Sequence, residues 1–151
     1  MKILPVIRPT EIYKWYLIIR EGLTQVQTKS LGEETHDSFL YSLVLKNLFL
    51  YIILDTNTNT YIGFFTARRI QDYYKDNLVN ILIIKHHYQK ENTIDKGTNL
   101  FIQDYIDKLA RQTECSFIKI YTIRKADRYL KQLGYTKTYT EYVRGVSNEN
   151  L

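Results

Sequence analysis

The sequence predicts one α/β domain, residues 1–151, with a mixed, mostly antiparallel central sheet and about four flanking helices. Three observations carry that expectation. Residues 10–46 hold two stretches of helical hydrophobic period, residues 48–87 hold three apolar runs divided by polar turns, and residues 98–143 alternate helix and strand signals. A chain of 151 residues with 44% hydrophobic and 25% charged side chains has the balance of a single globular unit.

Residues 2–7 read as a short strand. Pro9 and Thr10 then open a helix over 10–27, with proline pre-set for a first turn and Glu11 near the positive end of the helix dipole. Its apolar positions Ile12, Trp15, Tyr16, Ile19, Leu23 and Val26 recur at helical spacing, which predicts a core-facing stripe. Beyond the loop at Gly32, Thr35 is the expected N-cap of a second helix through Lys46, with Phe39, Leu40, Leu43 and Val44 on its inner face.

The period then changes. Residues 48–54 form an apolar run rich in strand formers, the turn Asp55-Thr56-Asn57-Thr58-Asn59 follows, and residues 61–70 make a second strand. A turn at 71–77, containing Asp72, Lys75 and Asp76, leads to a third long strand at 78–87, so the three should form an antiparallel meander. After polar residues 89–96 a helix is expected at 98–112, burying Phe101, Ile102, Tyr105, Ile106 and Leu109. Residues 116–122 read as a strand, 126–133 as a short helix ended by Gly134, and 136–143 as a final strand.

Composition excludes some function classes. The longest apolar run, 48–54, stops at Asp55, far short of the roughly 18–20 residues of a membrane span. The first residues are too briefly apolar, and too soon charged at Arg8, for a secretory signal, so a cytoplasmic location is expected. Cys115 is the only cysteine, which rules out an intramolecular disulfide and makes a structural thiol the natural reading; no metal site is expected. The net charge of +5 permits an anionic partner. Nucleic acid has no further support, because Arg68, Arg69, Arg124, Lys125 and Arg128 lie in no reading helix or aromatic-basic sheet motif. Eighteen Ile, 13 Lys, nine Asn and 14 Tyr against three Ala follow A/T-rich codons, so the tyrosines alone do not argue for base stacking.

The element order, with Ile118-Lys119-Ile120-Tyr121 followed by Ala126-Asp127-Arg128-Tyr129-Leu130-Lys131-Gln132-Leu133-Gly134-Tyr135, resembles the GNAT (GCN5-related N-acetyltransferase) superfamily over about residues 2–146. Residues 115–144, with Arg124, Arg128 and Gly134-Tyr135, are similar to the small GNAT-like proteins of tailed bacteriophages, some of which are virion or morphogenesis components. The resemblance implies acetyl-coenzyme A as cofactor, an amine substrate, and a V-shaped gap between the third and fourth long strands. Its alternative implication is a non-catalytic protein with phage structural partners, located in the host cytoplasm or the virion.

The resemblance also assigns site residues. The family's pyrophosphate loop, Gln/Arg-x-x-Gly-x-Gly/Ala, has its equivalent at residues 89–100 in altered form, about three residues longer, with Gly97 the one glycine and Lys96, Gly97, Thr98 and Asn99 at a helix start. Lys90 and Lys96 add positive charge there, and Glu91 and Asp95 oppose it. The pantetheine arm would lie beside the end of the third long strand, at Ile84 and Lys85. In the family element Asn-x-x-Ala-x-x-x-Tyr, Ala126 matches, but Ile123 replaces the asparagine and Leu130 the tyrosine that protonates the departing thiolate. Tyr129 is one residue away, roughly 100° round the helix. Arg124 and Arg128, four apart, share a helix face suited to phosphate or to a partner's carboxylates. His86 and His87 have a reference pKa suited to base work and, being adjacent in a strand, point to opposite faces. The expected chemistry is direct transfer, with His87 or His86 as base and water or Tyr129 reprotonating the thiolate.

Overall fold

A computed structural model of the chain describes residues 1–27, 36–120, 127–136 and 144, excluding the side chains of Gln27, His36 and residues 127–129. The order is β1 (Lys2–Val6), α1 (Pro9–Gln27), α2 (His36–Val44), β2 (Phe49–Asp55), β3 (Thr60–Tyr74), β4 (Asn77–Gln89), a 3₁₀ turn (Glu91–Thr93), α3 (Lys96–Gln112), β5 (Phe117–Ile120) and α4 (Asp127–Gln132). This is the mixed α/β class with four helices that the hydrophobic periods predict. The final strand expected at 136–143 falls almost wholly outside the described residues, as do Thr35 and residues 121–126.

The strands lie in the sheet in chain order, β1 to β4 antiparallel to their neighbours and β5 parallel to β4. The parallel join follows from α3, because two parallel neighbours need a crossover long enough to return the chain to the same end. Helices cover both faces, which is why β2 reads as a continuous apolar run rather than an alternating one. Leu50, Ile52 and Leu54 face Ile12, Tyr16, Ile19 and Leu23 of α1 and Phe39 and Leu43 of α2. Tyr51 and Ile53 face the other way, toward Ile102, Ile106 and Ala110 of α3. Helix α1 sits hard against the end of β4: a Cβ on Gly22 would lie 2.5 Å from the Tyr88 ring.

Three expectations need correction. Val44 is exposed, since α2 ends at that residue and its inner stripe is Phe39, Leu40 and Leu43. The turn between β3 and β4 is not 71–77 but the pair Lys75–Asp76, whose φ values of 48° and 67° place both in the left-handed region of a two-residue hairpin turn. Polar residues 71–74 are strand because they form an exposed two-stranded ribbon, where polarity carries no turn signal. The buried stripe of α3 is also rotated: Thr98, Asn99, Ile102, Gln103, Ile106 and Ala110 are buried, whereas Phe101, Tyr105 and Leu109 are only half-buried against the core.

Candidate functional site

Strand β4 changes character at Ile84. From Ile81 to Ile84 it pairs with β3 on one side and with Phe117–Ile120 of β5 on the other. The described part of the parallel ladder runs to Ile84–Ile120, and β4 continues beside β3 to Gln89. At that point the register with β3 steps from Ala67–Ile84 to Thr66–His86, so Lys85 is the extra residue of a β-bulge. The Ile84 side chain is 1% exposed in the α3-side core, which leaves only its main chain to meet a ligand. Lys85 is exposed, and partial desolvation lowers its ammonium below the ordinary lysine range.

The bulge sets the directions of the two histidines. Leu82 and Ile84 face α3; without the extra residue, period two would turn His86 the same way. Instead the His86 ring stands edge-on to Phe39 of α2, with ring centroids 5.3 Å apart and planes at 86°. His87 lies opposite Phe65 and shares its α3-side face, half-buried. The expectation that the two point to opposite faces therefore holds.

His86 itself is a core residue, 6% exposed. Its backbone N–H donates to Thr66 Oγ1 at 3.1 Å, and the same hydroxyl lies 2.7 Å from its Nδ1. A hydroxyl carries one proton and two lone pairs, so this one serves the N–H and the ring at the same time. Burial, reinforced by the Lys85 charge, pulls the imidazole down to about 4. The expectation of His86 as a base is corrected on these grounds: it is sequestered, already hydrogen-bonded and a weak proton acceptor near neutrality. His87 keeps the only half-exposed imidazole on β4.

The polar segment after β4 leads to the start of α3. Asp95 is the N-cap, its carboxylate accepting from Thr98 N–H at 2.8 Å and from Thr98 Oγ1 at 3.1 Å. The amides of Lys96 and Gly97, the first two helical residues, have no intrahelical acceptor by position. Gly97 is exposed, with an ordinary φ, and a Cβ there would lie 3.4 Å from Asp95 Oδ1. Thr98 and Asn99 are buried, and Asn99 Oδ1 has no hydrogen-bond partner among the described residues. Lys90 sits 5.3 Å from the centroid of the Tyr61 ring, a cation–π position.

Sequence reasoning missed two polar positions. Thr66 reads as one more strand residue, and only its contact with His86 shows its role. Gln103, 8% exposed on α3, donates to Asp107 Oδ1 at 2.9 Å and accepts from the Tyr135 hydroxyl at 3.0 Å. Asn99 and Gln103 are four apart, a polar pair on one helix face that the apolar-stripe search passed over. Tyr135 follows Gly134, whose φ of +87° ends α4 as the sequence predicts, with Tyr135 N–H returning to Leu130 O at 2.9 Å. Arg124 lies outside the described residues, as does the side chain of Tyr129, so neither can be placed relative to the bulge. Among the described residues no group of His, Cys, Asp and Glu is arranged to hold a metal, and no helix is long and apolar enough to cross a membrane. An apolar hollow of about 260 Å³, lined by Phe49, Tyr51, Ala67, Leu82 and Leu109 among others, lies toward the opposite end of the sheet from the α3 start and takes no part in this site.

A meander joined through a helix to a parallel fifth strand, with a bulge in the fourth, is a GNAT-like fold. The chain resembles the crystal structure of a probable acetyltransferase at TM-score 0.71 and 15% identity, covering 99% of this chain and 100% of that one. It resembles a ribosomal-protein-alanine N-acetyltransferase from Brucella melitensis biovar Abortus 2308 at TM-score 0.69 and 13% identity, covering 97% and 100%. An aminoglycoside acetyltransferase from an uncultured soil metagenomic sample, solved with sisomicin, matches at TM-score 0.68 and 12% identity, covering 97% and 96%. No family model and no curated protein sequence matches the chain.

Proposed function

We propose that the protein is an acyl-coenzyme-A-dependent N-acyltransferase acting on an amine. The observation that carries the reading is the β-bulge at Lys85, beside the Ile84–Ile120 pair and on the strand that leads to the α3 start. The residues fit acetyl-coenzyme A through main-chain groups: the Ile84–Lys85 backbone for the pantetheine amides, and the Lys96 and Gly97 N–H groups for the phosphates. Lys96 adds a positive charge, and Arg124 is assigned to the phosphates by resemblance. The Asp95 carboxylate already holds Thr98 N–H, so the helix start has fewer donors to give than an uncapped one.

When bound, the cofactor supplies an acyl group activated as a thioester. The chain's task is to orient it and to manage protons. Its residues would take the proton of the acceptor amine and return one to the departing thiolate. His87 is the proposed base, and water or Tyr129 the proposed acid. A thermal-shift titration with acetyl-coenzyme A tests the reading, since a ligand that binds only the folded state must raise apparent stability, by about 2.7 kcal/mol at a hundredfold excess over Kd. Absence of any shift would remove it.

The carboxylate at the α3 start favours one second reading: a non-catalytic phage virion or morphogenesis protein that keeps the fold, with phage structural proteins as partners in the host cytoplasm or the particle. Mass spectrometry of purified particles tests it, and repeated absence from particles and assembly intermediates counts against it.

A further inference from the structure

We infer that Thr66 is a positioning residue for the acyl donor: its hydroxyl latches the β4 bulge in the register that turns His86 away from α3. The inference rests on the acyltransferase reading for its functional half and on the strand geometry for its structural half.

A bulge costs ladder hydrogen bonds, so it persists only where something holds it. Here the holding group is identifiable. The His86 N–H, the first amide after the extra residue, goes to a side-chain oxygen, Thr66 Oγ1, at 3.1 Å. That oxygen is 2.7 Å from His86 Nδ1 as well, so a single hydroxyl engages both the backbone and the ring of the residue that follows the bulge. Thr66 is fully buried, directly opposite His86 and between Phe65 and Ala67, which face α3. Phe39 fixes the ring from α2. If β4 were regular, period two would turn His86 toward the α3 face and put Lys85, not His86, beside Phe39. The hydroxyl therefore selects one of two possible strand phases, and with it the outward presentation of Lys85 next to the proposed donor site.

Thr66→Val removes the hydroxyl at nearly constant shape, and Thr66→Ser restores it. Acetyl-coenzyme A affinity by calorimetry should fall at least about tenfold in Thr66→Val and stay within about threefold of wild type in Thr66→Ser. Amide exchange at Ile84, Lys85, His86 and His87 should accelerate in Thr66→Val only. If Thr66→Val does not fold, Thr66→Ala serves the same measurements with less steric demand. Unchanged donor affinity in the hydroxyl-free variant would overturn the positioning role. Should the wild type itself bind no donor, the acyltransferase reading fails separately, and the latch is then judged on exchange: unchanged protection across residues 84–87 in Thr66→Val would overturn it.

Discussion

The two halves of β4 are built on different rules. From Ile81 to Ile84 every side chain is buried, the strand has a ladder on each side and the residues are aliphatic, as in any strand covered on both faces. From Lys85 to Gln89 the residues are polar or aromatic, the register with β3 is broken by a bulge, and a hydroxyl–imidazole pair sits where an apolar contact would otherwise be. The first half carries stability and the second half departs from local consistency, which is where functional sites in folded proteins are expected.

That contrast can be broken by substitution. The largest effect is expected in the regular half: Ile84→Ala empties a site 1% exposed and should lower unfolding stability by about 2–5 kcal/mol in denaturant titration. A loss under 1 kcal/mol would show that the α3-side core is loosely packed there.

The next largest belongs to His86 and depends on pH. Its folded-state pKa, about 4, lies below the unfolded 6.5, so the neutral form is the one the fold accepts. Stability from this group is fully present above pH 6.5 and is lost as pH falls from 6.5 toward 4, to a total of about 3 kcal/mol. Unfolding measured across that window should show the loss, and His86→Gln should flatten it. A histidine NMR titration placing His86 near 6.5 would contradict the account.

Smaller effects are expected at the α3 start. Asp95→Ala removes the cap and should cost about 1 kcal/mol, whereas Asp95→Asn, which keeps a capping oxygen, should cost less. Gly97→Val should leave stability within about 1 kcal/mol, because its φ is ordinary and a Cβ meets only Asp95 Oδ1 at 3.4 Å. It should still weaken acetyl-coenzyme A binding by obstructing close backbone approach; equal affinity in the folded variant would count against the loop assignment.

Much of the fold was legible because hydrophobic period is a local signal. The stripe Ile12, Tyr16, Ile19, Leu23 marked α1, the apolar run ending at Asp55 marked β2, and Gly134 marked the end of α4. The α3 face was misjudged because Asn99 and Gln103 are buried polar residues, which apolar periodicity cannot rank. The β3–β4 turn was misplaced because an exposed ribbon is as polar as a loop. In the site, the opposite orientation of His86 and His87 followed from strand geometry. The core position of His86 did not, since it depends on a bulge and on Thr66, twenty residues away in sequence.

The most direct test of the central claim, that the irregular half of β4 and the start of α3 form the donor site, is an NMR titration of the labelled chain with acetyl-coenzyme A. The account predicts the largest backbone amide perturbations at Lys85, His86 and His87 and at Lys96 and Gly97, with Ile81 to Ile83 little changed. Perturbations confined to other parts of the chain, or none at millimolar ligand on the order expected for weak binding, would contradict it.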